Sequence, residues 1–440
     1  MNATGVTLEL PARLIGAVQG QNPGATLIVI GSMHGNEPAG RDAGRAIIET
    51  IEAQGGLRCG RLVALVGNRR AAATGTQRYL EEDLNRMFTP RRVHEARTMD
   101  PALRSPEMSE LVELVEALED EVVRARGPMF LVDIHTVSSK SPPFAAVEDS
   151  LRGRGFARRF GLPLVLGFEE ELEGLLSDYF TGAFDGVGLV VEAGAHRDAN
   201  AAAIAEAVIW RALEGVGLID HGEHDSALLE SSAGGFSNRV FDLRFRHVIE
   251  SEDFEIAEQI HAFEPVSTGE VIGEESQKPV IVPEPGLVFM PNRQECKRVG
   301  DDGYFVIRPV GWKWLTASAW VRRRRLVHLL LPKVLPGVRT RPGHTGELLV
   351  SPRVAAVMKR ELFHLLGYRL IRHTGERHLG TARRLLLGLA AFVGAIGTMF
   401  TGLFRGGERG VLREETLEDW IVARRHLDQL DAMRTEEKER

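Results

Sequence analysis

Cysteine is almost missing from this 440-residue chain, which has only Cys59 and Cys296. The two stand far apart and outside any CxxC or Cys/His spacing, which excludes a disulfide framework and a cysteine-based metal site and fits a reducing, cytoplasmic setting. An excess of positive charge is missing as well. With 54 Lys and Arg against 61 Asp and Glu the formal net charge is −7, which argues against a protein whose main business is wrapping nucleic acid. An acidic substrate then needs a local basic pocket. The N-terminus lacks the basic segment, apolar run and small-residue cleavage site of a secretory signal, so export is not expected. No repeat of solenoid or propeller period occurs. What is there is globular: 43% of residues are hydrophobic, and the length exceeds what one core organises, which predicts two or three domains.

From residue 25 to about 215, short β-rich runs (ATLIVIG, RLVALVG, MFLVDIH, LPLVLG, GLVVEAG) alternate with helical stretches after Glu37, around 107–125 and after 198. This alternation predicts an α/β domain over 1–217 with a largely parallel, buried sheet, and ligands bind such sheets at the strands' carboxyl ends. A polar, glycine-containing stretch at 218–236 reads as a linker or long loop. Residues 236–312, with apolar runs broken by Pro and Gly, predict a compact β-rich domain that covers one side of the pocket. Residues 313–440 read as a helical C-terminal extension with RRRR at 322–325. That basic run sits in an acidic protein without a nucleic-acid reader motif, so a solvated or lipid-facing patch is expected. The segment 385–404 carries no charge and is long enough to span a hydrocarbon core, though four glycines make it only moderately apolar. Two readings stand for it: a membrane span or surface helix at the inner membrane, or a helix buried in the protein or in a homo-oligomer interface.

Chemistry concentrates at the strand ends. GSMHGNEPAG follows the strand ATLIVIG and sets His34 and Glu37 three residues apart, where a short loop can aim an imidazole and a carboxylate at one point. His135 closes another apolar strand, LVDIH, with Asp133 two residues before it either as an acceptor for its ring or facing another loop. Three such ligands plus water make a catalytic zinc site. QRYLEEDLNRMF brings Arg78, Asn85 and Arg86 into one polar loop, suited to gripping a carboxylate and stabilising an oxyanion. In LVVEAGAH, Glu192 ends a buried strand, where an unpaired carboxylate is costly unless it serves as a general base. Each motif alone is explained by a strand-end histidine, a helix-start acid or a solvated loop; the conjunction is not.

The four motifs HGNEPAG, RYLEEDLNR, VDIHT and VEAGAH, in this order, resemble the succinylglutamate desuccinylase and aspartoacylase family of zinc-carboxypeptidase-like hydrolases, over roughly residues 25–312. The resemblance implies an α/β/α domain around a twisted mixed sheet rather than a purely parallel one. It implies one zinc ion held by His34, Glu37 and His135, and Glu192 as the base that takes a proton from zinc-activated water. Arg78 corresponds to the arginine that polarises the scissile carbonyl, and Asn85 and Arg86 to the pair that grips the substrate's α-carboxylate. The implied reaction is cleavage of the amide bond of a small N-acyl amino acid. One departure bears on the substrate: the family's side-chain-reading arginine falls near Gly182 here, so acetylaspartate and succinylglutamate are not the expected substrates, and Arg197 or Arg293 are the candidates to replace it. Tyr304 is either a pocket residue or a strand residue of the β-rich part. Two further readings use the same fold, a carboxypeptidase acting on a peptide C-terminus and a membrane-associated binding module.

Overall fold

The computed structural model describes residues 10–222, 227–294, 297–324, 338–340, 347–350, 360–371 and 421–425. The apolar segment 385–404 lies outside these residues, and the RRRR run is described as far as Arg324. The chain divides into two compact units, Met1–Pro309 and Val310–Arg440.

The first unit is built on strands β1 (Leu14–Gln19), β2 (Asn22–Gly31), β3 (Cys59–Val66), β4 (Met129–Val137), β5 (Phe144–Val147), β6 (Leu164–Leu166), β7 (Val187–Ala195) and β8 (Val240–Val248). After these come β9 (Glu255–Ile256), β10 (Pro265–Val266), β11 (Val271–Glu275), β12 (Lys278–Ile281), β13 (Gly286–Phe289) and β14 (Asp302–Pro309). Eleven of them form one sheet in the order β1-β3-β2-β4-β7-β5-β6-β8-β14-β13-β10, and β12-β11-β9 form a small second sheet. Its centre, β3-β2-β4-β7, is parallel, whereas β1 and β5 join antiparallel. The sheet is therefore mixed, as the family resemblance implies.

Continuous apolar runs make the central strands. Leu27, Ile28, Val29 and Ile30 of β2 are at most 1% exposed, which is the pattern of a strand covered on both faces by helices. The covering helices are Ala39–Ala53, Pro106–Arg124 and Ala201–Val216, close to the expected positions. Pro106–Arg124 starts where its sequence says it should: the Ser105 hydroxyl accepts from Met108 N–H, and Pro106 occupies the first turn.

The stretch 218–236 is less open than a linker. A short helix, Ala227–Ala233, forms in it because Leu229 and Ala233 find buried positions. The sheet also continues past it, since β8 pairs in parallel with β6. The β-rich part thus extends the same sheet, and its Phe289, Phe305 and Ile307 share one core with Phe144 and Phe168.

In the second unit, helices Trp312–Arg322 and Arg360–Leu366 accompany a four-stranded antiparallel sheet that the expectation of helix alone did not contain. Its order is β15 (Val338–Thr340), β16 (Glu347–Val350), β18 (Ile421–Arg425), β17 (Tyr368–Ile371). Among the described residues, no helix is long and apolar enough to cross a membrane.

Candidate metal centre and substrate cleft

Three central strands deliver the chemistry to one spot. The chain leaves β2 through Ser32, which takes a left-handed φ of 53°, and turns at His34 and Glu37, where Glu37 N–H donates to His34 O at 3.2 Å. β4 supplies His135, and Glu192 of β7 is its register partner across the parallel pair. His34, Glu37 and His135 are each no more than 3% exposed. One ligand atom from each lies within 4.8 Å of the others, so this group could hold a metal ion.

The hydrogen-bond pattern tests that fit. His34 Nδ1 stands 2.9 Å from Glu37 Oε1, His135 Nδ1 stands 3.2 Å from Glu37 Oε2, and the two Nδ1 atoms are 3.2 Å apart. Both outer nitrogens meet carboxylates instead. His34 Nε2 lies 3.1 Å from Asp83 Oδ1, and His135 Nε2 lies 2.9 Å from Asp133 Oδ2, though without the alignment of a full hydrogen bond. A carboxylate at Nε2 favours the proton there and leaves the Nδ1 lone pair pointing inward. Two inward lone pairs and a carboxylate facing one another are poorly matched by themselves and well matched to a cation, so the donor set fits a metal. Burial would raise the Glu37 carboxyl, but the His34 and His135 rings outweigh it and hold it well below its usual range. Burial likewise opposes protonation of His135, and Asp133 and Glu37 overcome it.

The Asp83 contact was not legible beforehand. It sits inside the LEEDLNR motif, and it also accepts from Arg78 Nη2 at 3.1 Å, while Arg78 Nη1 reaches Glu37 Oε1 at 3.1 Å. Arg78 is thereby clamped between two carboxylates, and they raise its pKa against the opposing effect of burial. The loop itself is pinned from below: the buried Glu107 accepts from Leu80 N–H at 2.8 Å and Glu81 N–H at 3.2 Å.

Gly35 lies between the two motif residues. A Cβ there would stand 2.2 Å from Ala71 O and 2.5 Å from Gln77 O, both backbone atoms. Gly35→Ala is expected to push the His34–Glu37 turn off that loop, cost about 1–3 kcal/mol of stability and weaken metal binding. Thermal melts with and without added zinc measure both, and an unchanged metal-induced shift would refute the second part.

Beside this group opens a cleft lined by Arg78, Asn85, Arg86 and Glu192. Asn85 Oδ1 accepts from Leu176 N–H at 2.9 Å, so what it offers a ligand is its NH₂. Arg86 is held by Asp302 at 2.7 Å, and Arg246 Nε donates to the other oxygen of Asp302 at 2.5 Å. The β-rich part thus orients the cation, and it also contributes Met290 to the cleft wall. Glu192 is 7% exposed and its Oε2 is buried without a hydrogen-bond partner. Burial pushes its carboxyl up to about 8, against the pull of His135 and Arg78.

The rest of the wall is apolar or acidic. Phe144, Phe168, Leu172 and Leu175 line it together with Glu148 and Asp178. Burial, with Glu169 nearby, raises Asp178 to about 8. No candidate replaces the missing arginine. Gly182 is outside the lining and faces open space. Arg293 donates to the carbonyls of Ile256, Ala257, Glu258 and Ile260, and Arg197 is exposed and outside the lining. Tyr304 is a core residue of β14 at 0% exposure, its hydroxyl 3.4 Å from Ile281 O.

Comparison with known proteins agrees with the motifs. Residues 23–211 match the family model described as the succinylglutamate desuccinylase/aspartoacylase catalytic domain. Among solved structures, a succinylglutamate desuccinylase/aspartoacylase from Rhodobacter sphaeroides is 20% identical, with a TM-score of 0.51 over 67% of this chain and 88% of its own. The product-bound ectoine utilization protein EutE (DoeB) from Ruegeria pomeroyi is 19% identical, with a TM-score of 0.51 over 66% and 87%. A succinylglutamate desuccinylase from Vibrio cholerae is 16% identical, with a TM-score of 0.50 over 66% and 83%. At these identities the structures establish a shared fold. None of the curated proteins matches the chain. The match to the succinylglutamate desuccinylase/aspartoacylase catalytic domain thus covers residues 23–211, less than half of the chain, and the fold of these solved structures is shared.

Proposed function

We propose that the protein hydrolyses the amide bond of a small N-acyl amino acid, with one zinc ion held by His34, Glu37 and His135 and with Glu192 as general base. The observation that carries this reading is the unpartnered, buried Glu192 Oε2 beside three converging metal-type ligands, at a cleft that also holds Arg78, Asn85 and Arg86. Zinc bound there supplies a Lewis acid and a positive charge, which together activate water, polarise a carbonyl and favour the ionised form of Glu192. Glu192 takes a proton from the attacking water as the new C–O bond forms. Arg78, fixed by Glu37 and Asp83, donates to the oxygen on which negative charge develops. As the C–N bond breaks, Glu192 returns its proton to the leaving nitrogen, giving a free acid and a free amine. The Asn85 NH₂ and Arg86 hold the α-carboxylate and fix the scissile bond over the ligand group.

The substrate class follows from the wall. Among the described lining residues the only cations other than His34 and His135 are Arg78 and Arg86, whereas Glu148 and Asp178 face the remaining space. A second carboxylate, on either the acyl group or the side chain, finds no further cation among the described lining residues to pair with. The substrate is therefore an N-acyl amino acid whose only carboxylate is the α-carboxylate. Amine release by zinc-loaded protein from a panel of such compounds tests this. N-acetyl derivatives of neutral or basic amino acids are expected to exceed N-acetylaspartate and N-succinylglutamate in kcat/KM by about tenfold or more, a difference of about 1.4 kcal/mol. Preference for the dicarboxylates would overturn the substrate class, and release from peptides alone would make the enzyme a carboxypeptidase.

A further inference from the structure

Among the described residues, the helix Trp312–Arg322 has one face with no partner, and its chemistry points to an occupant. Leu315, Ser318 and Arg322, spaced three and four residues apart, are the buried face, and Arg322 Nη2 donates to His364 O at 2.6 Å. That side is tied to its own unit. Away from it lie Trp312 at 70% exposure and Trp320 at 57%, while Trp314 at 37% flanks the buried face beside Ser318. Three of the chain's five tryptophans thus fall within nine residues, and two of them are largely exposed. Lys313, Arg323 and Arg324 are exposed around them, and 311–324 contains no Asp or Glu. The Arg324 guanidinium lies 4.4 Å from the centre of the Trp320 ring.

We propose that this helix docks the protein on an anionic lipid surface, with the indoles at the boundary between headgroups and acyl chains and the cations among the lipid phosphates. Indole has a large apolar body and one N–H donor, a combination favoured where one end is dry and the other wet. A protein partner that buried the tryptophans would also bury the cations lying against them, without a carboxylate from this helix to pair them. A bilayer interface accepts both at once, because lysine and arginine stems run along apolar surface while their heads stay in the headgroup layer. The surface is independent of the catalytic reading, since none of these residues lines the cleft.

Co-sedimentation of the purified full chain with vesicles tests the proposal, using phosphatidylcholine alone and phosphatidylcholine mixed with phosphatidylglycerol. Binding is expected only with the anionic lipid, weakening at high salt, with tryptophan emission shifting to the blue. Trp312→Ala/Trp320→Ala and Arg323→Gln/Arg324→Gln are each expected to lower vesicle affinity at least about tenfold. Circular dichroism spectra and melting temperatures of both are expected to match wild type, which shows that they fold. Wild-type affinity in both double variants would overturn the proposal and assign any lipid contact to another segment, such as 385–404. Equal binding to neutral vesicles, no binding at all, or a self-associated chain whose tryptophans are already shielded from a soluble quencher would overturn it as well.

Discussion

Glu192→Gln is expected to lower kcat about 10²–10⁴-fold while zinc content, fold and substrate affinity stay close to wild type. The amide has nearly the shape of the carboxylate, so the buried site is neither emptied nor overfilled, and the three ligand residues are untouched. On the proposed reading, what is lost is the group that accepts and returns the proton. Glu192 Oε2 has no hydrogen-bond partner and lines the cleft beside the three converging ligand-type residues, where a proton acceptor can reach a bound water. Steady-state kinetics beside metal analysis reads the outcome. A drop in kcat with unchanged KM and one zinc per chain supports the assignment, whereas activity within a few fold of wild type would move the base elsewhere.

His135→Ala is expected to act on the metal rather than on the proton. One of three ligands disappears, and Glu37 and His34 remain as a pair that holds zinc weakly. Zinc content after dialysis should fall from one per chain to near zero, and activity with it. A ligand that binds only the folded state stabilises it, by about 4 kcal/mol at a thousandfold excess over its dissociation constant. Added zinc should therefore raise the melting temperature of wild type and leave that of the variant unchanged. Full occupancy in the variant would show the ligand set to be wrong. The two variants separate the roles, since the first keeps the metal-induced shift in melting temperature and the second loses it.

Both predictions start from residues that sequence could nominate because each belongs to a local pattern. His34 and Glu37 share one turn after one strand, and His135 and Glu192 each end an apolar run. Asp133 could be nominated for His135 because it lies two residues away on the same strand, whereas the partners of His34 and of the cleft arginines were not nominated, because they come from elsewhere in the chain. Glu81, Glu82 and Asp83 are three consecutive acids of one polar loop with the same local chemistry. In the fold, Glu82 pairs with Arg92 on the surface while Asp83 turns inward to His34 and Arg78. Arg293 was as plausible a cleft cation as any, and four backbone carbonyls claim its guanidinium. Arg246, not singled out at all, shares Asp302 with Arg86.

Sequence by itself determined the alternation that builds the central strands, the candidate ligand and base residues, and the absence of an arginine near Gly182, because periodicity and residue type act over a few neighbours. Tertiary structure decided that the β-rich part continues the same sheet, that Asp83 and Asp133 face the outer nitrogens of the two histidines, and that the cleft wall is acidic and apolar. Those outcomes depend on which distant segments pack together, since a buried charge is tolerable only beside the partner that the fold brings to it.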